Sequence, residues 1–435
     1  MPGCGVSPLI SPSLPPQAAS HKETTQRKEV SLHEAETLSK MKVENRTMAI
    51  QIFENTPVLA DKNIYSKERQ TWNFHKRLPG YAPTPLVEAP QLARQMGVGN
   101  IWIKDETRRF DMPSFKILGT SWAVYRALMS RMGTEVESWE TFDDLARIFA
   151  PLRPLTLVAA TDGNHGRAVA HMAALLGFDS HIFVPRGMAD SRISAIKKEG
   201  AKVTIVNGTY DEAVRQSALE QDDMHVVISD TSWPGYEEIP TWVIEGYATI
   251  FQEVDEQLAR QYQPAPDLVL VQIGVGALAA AVVQHYRDTD GISSPKIVGV
   301  EPTTAACMLA SMKVNQIVTL TTPPRTIMAG LNCDTPSLIA WPIVSKGVDL
   351  FISIEDEWAC QGMRKFATLG LVSGETGAAG IGGVLALLND PSLSSARASL
   401  GIDNSTRILV ICTEGATDPV AYEQIVGTSP YAISV

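Results

Sequence analysis

Short apolar runs, many of them rich in β-branched residues, recur along most of the chain. Each run is nearly continuous and does not alternate with polar residues, which is typical of parallel strands covered on both faces. The pattern predicts nine strands, which cover residues 101–104, 155–161, 181–184, 202–206, 225–229, 268–273, 296–300, 350–354 and 407–413.

Longer stretches with a helical period lie between these runs. Residues 242–262 present apolar side chains at helical spacing, and helices are predicted over 167–176 and over 190–198, the second ending at Gly200. Alternation of strand and helix predicts right-handed βαβ units. Because 435 residues are enough for two domains, we predict an α/β fold in two domains, each a mostly parallel twisted sheet flanked by helices.

Composition narrows the classes of partner and compartment. Residues 1–45 lack an apolar period and are predicted to be a disordered tail, with order beginning near Trp72. Lys and Arg number 37 against 48 Asp and Glu, a net charge of −11 that argues against nucleic acid or an anionic membrane as a partner. The five cysteines form no CxxC pair, and no secretory signal or run of ~20 apolar residues is visible. We therefore expect a cytoplasmic protein with reduced thiols and predict no metal site.

The first segment with candidate chemistry is Ser114-Phe115-Lys116, which opens a helix predicted over 117–129. Apolar neighbours are expected to bury the amine of Lys116 and so to lower its pKa, and a neutral amine is the form that makes a Schiff base. The alternative is a lysine that extends into solvent from a first helical turn, because buried lysines are rare.

The second segment is the turn Thr161-Asp162-Gly163-Asn164-His165-Gly166, between a predicted strand and a predicted helix. Its glycines would let backbone N–H groups approach a ligand at the helix start, with the Asn164 amide and the Asp162 carboxylate facing the same crevice. A turn of this composition is also an ordinary helix cap, and His165 is read as a packing or capping residue.

The third segment, QIGVGALA over residues 272–279, again runs from a strand into a helix. Two glycines at a helix start form a phosphate cradle from backbone N–H groups and the helix dipole. Gly274, Gly276 and Ala279 also fit the dinucleotide pattern, with Glu301 at the end of the next strand as a ribose-binding acid. Alone, this segment favours a nicotinamide (NAD)-dependent oxidoreductase, but that interpretation leaves Lys116 and the turn at 161–166 unexplained.

The three segments in this order resemble the fold type II (tryptophan synthase β-like) pyridoxal phosphate enzymes, and within them the diaminopropionate ammonia-lyase family. The similarity runs over residues 74–419 and includes LPGYAPTPLVEAP, IKDETRRF, SFKILG, ATDGNHGRAVA, QIGVGALAAA, GLVSGETGAAG and CTEGATDP. The most specific pieces are the aspartate in DGNHG and the stretch DTSWPGYEEIPTW.

The resemblance implies a role for each matching residue. Lys116 would form the Schiff base with pyridoxal 5'-phosphate, Asn164 would bond its phenolic oxygen, and Thr413 would face its pyridine nitrogen. Asp162 and Lys116 would flank Cα as the two proton acceptors, one for each enantiomer, and Asp230 would help to hold the side-chain amine of the substrate. The phosphate cradle would be formed by Gly274, Val275, Gly276, Ala277 and Leu278.

The activity that the resemblance implies is α,β-elimination from a small amino acid, with 2,3-diaminopropionate giving pyruvate and ammonia. A β-replacement synthase and a serine or threonine dehydratase remain alternatives. A homodimer is expected, with a larger cofactor-binding domain over 46–118 and 240–435 and a smaller α/β domain over 119–239.

Two departures from the family pattern lie near the lysine. Asp111, Met112 and Pro113 stand where the family usually has a Gly-Leu pair and then a small or amide residue, and Thr120 replaces one of a pair of glycines. Both changes are expected to lie beside the cofactor and so to bear on the choice of substrate.

Overall fold

Strands from distant parts of the chain form two sheets. The computed structural model of the protein describes residues 50–58, 68–133, 139–287, 294–323 and 325–432, and the predicted tail lies outside them. The strands of these residues are β1 (Gln51–Glu54), β2 (Leu86–Glu88), β3 (Asn100–Asp105), β4 (Thr156–Ala160), β5 (Asp179–Pro185), β6 (Lys202–Val206), β7 (His225–Val227), β8 (Leu268–Gln272), β9 (Lys296–Pro302), β10 (Leu350–Ile354) and β11 (Arg407–Cys412).

The larger sheet has seven strands in the order β1-β10-β9-β8-β11-β3-β2. Its two edge strands run antiparallel to their neighbours and the strands between them are parallel. The smaller sheet has four parallel strands in the order β6-β5-β4-β7. Strands of the smaller sheet all come from the stretch predicted to be the smaller domain; the structure carries both sheets in one compact unit, residues 49–435, and the division into domains stays a prediction.

All nine predicted strands are present, but the two edge strands were missed. β1 and β2 are short, and each has only one partner strand. The prediction that order begins near Trp72 is wrong, because β1, which precedes this residue, pairs with β10. Burial on both faces, which gives the inner strands their continuous apolar runs, is absent from these partly exposed edges.

Helices follow most of the strands and cover both sheets. Within the described residues they are α1 (Glu68–His75), α2 (Pro90–Met96), α3 (Lys116–Met132), α4 (Phe142–Ile148), α5 (Asn164–Leu176), α6 (Asp190–Lys198), α7 (Tyr210–Ala218), α8 (Glu238–Arg260), α9 (Ala277–Arg287), α10 (Cys307–Val314), α11 (Trp341–Gly347), α12 (Asp356–Thr368), α13 (Ala379–Asn389), α14 (Ser394–Ser399) and α15 (Pro419–Val426). The mixed α/β class is as predicted. None of the helices so described is both long and apolar enough to cross a bilayer.

Two glycines bring α3 and α8 into backbone contact. A methyl group on Gly119 of α3 would lie 2.7 Å from the carbonyl oxygen of Val243, and one on Gly246 of α8 would lie 2.6 Å from the carbonyl oxygen of Leu118. No side chain fits at either position, so the two helices pack at the closest distance that their backbones allow. This contact fixes the start of α3, where Lys116 lies.

A buried network of charged side chains supports the segment between β3 and α3. Glu253 of α8 pairs with Lys104 at 2.7 Å and with Arg109 at 2.7 Å, and Arg109 also pairs with Glu106 at 2.6 Å. All four side chains have no exposed surface. Buried charges are retained only where they are paired and hydrogen-bonded, so this network ties the chain that leads to Lys116 onto α8.

Candidate active site

Loops and helix starts at the carboxyl ends of strands from both sheets line one cavity. This is the edge of a parallel sheet at which ligands bind in open α/β folds. The cavity brings together all ten residues that the sequence predicts for the site: Lys116, Asp162, Asn164, Asp230, Gly274, Val275, Gly276, Ala277, Leu278 and Thr413. The lining also includes ten residues that the sequence analysis did not assign to the site: Phe115, Thr161, His165, Tyr210, Gln272, Gly330, Leu331, Cys333, Thr376 and Glu414.

Lys116 is the first residue of α3, and its amine forms an ion pair inside the cavity. Its Nζ donates to Oδ2 of Asp230 at 2.6 Å. Burial, the largest single effect, disfavours the ammonium, but the charge and hydrogen bond of Asp230, with the charges of Tyr247 and Asp162, together outweigh it and raise the pKa of Lys116 above its ordinary value. The prediction of a lowered lysine pKa is therefore wrong for this structure, because the apolar neighbours in sequence say nothing of a carboxylate 114 positions away.

Asp230 follows β7 and is the acidic partner in this pair. Its side chain is 5% exposed, and its Oδ1 accepts a hydrogen bond from the hydroxyl of Tyr210 at 3.2 Å. Burial opposes ionisation, yet the ammonium of Lys116 holds the pKa of Asp230 below its usual range. Tyr210, at the start of α7, had no motif in the sequence that pointed to the cavity.

The turn between β4 and α5 depends on one glycine. Gly163 has a φ of +150°, a backbone conformation open only to glycine, and its N–H donates to Oγ1 of Thr161 at 2.9 Å. Next to it, burial raises the pKa of Asp162 to about 6, against the opposing charges of Lys116 and Arg192. Asn164 donates through Nδ2 to Oε2 of Glu414, and its second amide hydrogen is available to another acceptor.

His165, the second residue of α5, lines the cavity, and neighbouring groups hold its ring. Its Nε2 lies 2.7 Å from the carbonyl oxygen of Ile228, and its Nδ1 lies 3.4 Å from Oγ1 of Thr120. Burial lowers its pKa, against the opposing charge of Asp230. The packing role expected from the sequence is in keeping with these contacts.

The two departures from the family pattern do not lie in the cavity wall. Asp111 has a φ of +58° and a side chain that is 91% exposed; the left-handed backbone explains why a glycine is usual there. Thr120 is buried behind His165 and is not among the lining residues. The expectation that these residues lie beside the cofactor is wrong, and Pro113 lines a second cavity instead.

Both glycines of the turn after β8 stand where an added side chain would be crowded or would strain the backbone. A methyl group on Gly274 would lie 3.0 Å from the carbonyl oxygen of Gly330, and one on Gly276, whose φ is +104°, would lie 2.9 Å from Cε of Met308. The first N–H groups of α9, which starts here, have no partner within the helix. These N–H groups and the helix dipole favour an anion at this place.

Gln272 is a hydrogen-bond donor to Thr413. Its Nε2 donates to Oγ1 of Thr413 at 2.8 Å. Because that oxygen already accepts a hydrogen, the hydroxyl proton of Thr413 is left to donate into the cavity. Gln272 stands in the quoted motif QIGVG, so its position beside the glycines was the signal that could have identified it.

Glu301 does not serve as a ribose-binding acid. It has no exposed surface, and its two carboxylate oxygens accept the N–H groups of Met308 and Leu309 at 2.8 Å each. Burial raises its pKa to about 8. The carboxylate of Glu301 therefore binds backbone N–H groups at the start of α10 and is not available to a ribose, the role that the dinucleotide interpretation requires.

The glycine cradle, the buried lysine and the strand-end cavity are features of one class of enzyme. The family model described as "Pyridoxal-phosphate dependent enzyme" matches residues 77–412, and the chain belongs to this family. Its cofactor is pyridoxal phosphate, and the nicotinamide-dependent oxidoreductase is excluded.

Within the family, the predicted resemblance to the diaminopropionate ammonia-lyases is confirmed. The diaminopropionate ammonia-lyase of Salmonella typhimurium is 39% identical over 364 residues, which are 81% of this chain and 90% of that protein. The Escherichia coli enzyme is 35% identical over 379 residues, 85% of this chain and 93% of its own length. A crystal structure of the Escherichia coli enzyme in complex with D-serine covers 88% of this chain and 98% of its own, with 34% identity and a TM-score of 0.80.

The cavity fits pyridoxal phosphate by the chemistry of its donors. The amine of Lys116 is the group that can hold an aldehyde, and the crowded glycines over 274–276 leave N–H groups for a phosphate. Thr413 places a hydroxyl in the cavity wall, where its Oγ1 accepts from Gln272. Lys116 is the only Lys or Arg among the lining residues that the structure describes. The phosphate needs no further cation, because backbone N–H groups and a helix start bind this anion.

Proposed function

We propose that the protein eliminates the β-amine of 2,3-diaminopropionate to give pyruvate and ammonia. The observation that carries this proposal is the ion pair of Lys116 and Asp230 inside the cavity, at 2.6 Å. When Lys116 is committed to the cofactor, Asp230 loses its cationic partner and is left as a buried carboxylate. A second ammonium on the substrate restores the pair, whereas the hydroxyl of serine or threonine does not.

The cofactor, when bound, withdraws electrons from Cα of the amino acid and so weakens its C–H bond. The chain's own residues would hold and orient it: Lys116 by its amine, the turn at 274–278 by its N–H groups, and Thr413 by its hydroxyl proton. Asn164 has an amide hydrogen to offer in addition to the one that it gives to Glu414.

Two residues are proposed as the acceptors of the Cα proton. Asp162 has a pKa of about 6, so it is largely ionised at neutral pH and yet basic enough to take a proton. Lys116 becomes a base once its amine is released and neutral. We propose that the two groups approach Cα from opposite faces, so that each serves one enantiomer.

Asp230 also governs the departure of the β-amine. A carboxylate that pairs with the β-ammonium keeps a proton on that nitrogen, and neutral ammonia leaves far more readily than an amide ion. Tyr210 holds the carboxylate in place through its hydroxyl. The unsaturated product is then hydrolysed in water to pyruvate and a second ammonia.

We further propose that the protein is a homodimer of the cytoplasm, as the resemblance implies. We also propose that residues 46–118 with 240–435 form a larger cofactor-binding domain and that residues 119–239 form a smaller α/β domain. The two sheets, whose strands come from these same stretches, support the division. Analytical ultracentrifugation of the purified protein tests the dimer directly.

The function is tested by assaying pyruvate from both enantiomers of diaminopropionate, serine and threonine. We expect pyruvate chiefly from diaminopropionate, and a visible absorbance band that disappears in Lys116→Ala. Asp162→Asn should impair one enantiomer more than the other. Asp230→Asn should abolish the preference for diaminopropionate over serine, because the amide cannot pair with a second ammonium.

Two other outcomes would contradict the proposal. Faster turnover of serine or threonine than of diaminopropionate would identify a dehydratase. Consumption of substrate only in the presence of an added thiol or amine would identify a β-replacement synthase.

A further inference from the structure

Arg192, in the first turn of α6, packs against the turn that carries Asp162. Its aliphatic stem lies so close to Gly163 that a methyl group on this glycine would be 3.2 Å from Cδ of the arginine. The side chain of Arg192 is 11% exposed. A nearly buried arginine that contacts a strained glycine limits the conformations of the turn on that side.

The charged end of Arg192 reaches the opposite side of the site. Its Nε donates to Oγ1 of Thr417 at 3.0 Å, and one terminal nitrogen lies 3.7 Å from Oε2 of Glu375. The neighbouring Ser191 donates to the carbonyl oxygen of Thr417 at 3.1 Å. Thr417 lies in the loop after β11, shortly beyond Thr413, so the Arg192 side chain connects two of the segments at the cavity, the turn at 161–165 and the loop after β11.

Arg192 has no place in the cavity lining itself. It lines a second cavity together with Gly163, Arg167 and Thr417, whereas Asp162 lines the first. The turn at 161–165 therefore lies between Arg192 and the reacting atoms, and Arg192 can act only through the turn. Its positive charge also reaches Asp162, where it opposes the effect of burial and of the carboxylates of Asp230 and Glu414.

We propose that Arg192 is a positioning residue for the proton transfer at Asp162: it joins the turn at 161–165 to the loop after β11 and thereby holds the Asp162 carboxylate at the distance from Cα that deprotonation needs. This inference rests on the proposed function. It goes beyond that function in one respect, because loss of Arg192 affects only the enantiomer that Asp162 deprotonates, while the path through Lys116 is untouched.

The test compares Arg192→Gln, Arg192→Lys and Thr417→Val in the holoenzyme, with Arg167→Gln as a matched control. Arg167 lines the same second cavity, but its side chain pairs with Glu199 at 2.9 Å and forms no hydrogen bond or ion pair with Gly163 or Thr417. Steady-state kinetics are measured with each enantiomer of diaminopropionate. The enantiomer assigned to Asp162 is the one that Asp162→Asn impairs more.

We expect Arg192→Gln to lower kcat for that enantiomer by about 10-fold to 100-fold, since a misplacement of about 1 Å at a reacting group has effects of this size. For the other enantiomer we expect a change of less than about 3-fold. Arg192→Lys keeps the charge without the hydrogen bond from Nε, so its kcat should lie between those of the wild type and Arg192→Gln. Thr417→Val should also lower kcat for that enantiomer. A uniform loss for both enantiomers would mean that Arg192 is merely structural and would overturn the proposal.

A second measurement does not depend on activity or on the cofactor. Hydrogen exchange of a peptide that covers residues 161–166 should be faster in Arg192→Gln and in Thr417→Val than in the wild type, and unchanged in Arg167→Gln. Equal exchange in all four proteins would overturn the proposal even if the kinetics changed. If the wild type makes no pyruvate from either enantiomer, the proposed function fails, and the exchange measurement still decides whether Arg192 holds the turn.

Discussion

Glu253 offers the sharpest test of the buried charge network beneath the site. It accepts from Lys104 at 2.7 Å and from Arg109 at 2.7 Å, and none of these three side chains is exposed. Burial disfavours its carboxylate, but the hydrogen bonds and charges of Arg109 and Lys104 prevail and hold the pKa of Glu253 below its ordinary value. Glu253→Gln keeps the shape of the side chain and removes only the charge.

The expected loss of stability follows from the partners that Arg109 and Lys104 keep in Glu253→Gln. Arg109 keeps Glu106, but Lys104 is left with neutral partners, the carbonyl oxygen of Thr84 and Oε1 of Gln257. Breaking a buried pair on one side typically destabilises a protein by about 3–5 kcal/mol. With an unfolding entropy of roughly 2 cal/mol/K per residue, a unit of this size loses about 1.2 °C per kcal/mol, so Tm should fall by about 4–6 °C.

Differential scanning calorimetry at pH 7 measures this loss, and Glu256→Gln is the matched control. Glu256 lies one turn away on α8 and pairs with Arg260 at 2.7 Å, but those side chains are 35% and 70% exposed. A surface pair of this kind contributes about 0–1 kcal/mol, so the control should shift Tm by no more than about 1 °C. Equal shifts in the two variants would refute the argument that the buried network supports the segment before Lys116.

Three further predictions concern the site and its approach. Gln272→Leu removes the 2.8 Å hydrogen bond to Oγ1 of Thr413. Since such a bond contributes about 1 kcal/mol, the Kd of pyridoxal phosphate, measured by titration of the apoenzyme, should rise roughly 5-fold. An unchanged Kd would contradict the role given to Thr413. Because Asp162 accepts a proton only when ionised, and its pKa is about 6, kcat/KM for its enantiomer should fall as the pH drops through 6, and the pH profile of Asp162→Asn should lack this limb. Asp111→Val places a β-branched residue at a φ of +58° and should lose about 1–2 kcal/mol in chemical denaturation, whereas Asp111→Gly should change stability by less than ~1 kcal/mol; equal effects would exclude backbone strain as the cause.

The parallel strands were predictable because their signal is local. β8 and β10 are buried at every position, so each appears as a continuous apolar run. The edge strands β1 and β2 carry no such run, and they form only because β10 and β3 offer a free edge from elsewhere in the chain. Pairing of this kind depends on the tertiary fold, which a local pattern does not contain.

The candidate site, like the fold, has features that the sequence predicts and features that it does not. Its predicted residues follow the carboxyl ends of parallel strands in both sheets, which is where the strand pattern alone predicts a ligand site. That the two sheets share one cavity is set by the tertiary fold. The state of Lys116 depends on Asp230, and that of Thr413 on Gln272, and these pairs are 114 and 141 positions apart. Tyr210 reaches the cavity from a helix start that has no motif of its own. Distant partners of this kind are set by packing and could not be predicted from spacing.

The contact of α3 with α8 at Gly119 and Gly246 bears on how the enzyme could be redesigned. Any side chain at these two positions would force the helices apart, whatever substrate was sought, because backbone atoms, which cannot change rotamer, occupy the space of an added carbon. Lys116 therefore lies at the start of a helix that packs closely against a second helix. Altered specificity is better sought in the turn at 161–165 and around Tyr210, where side chains contribute to the wall.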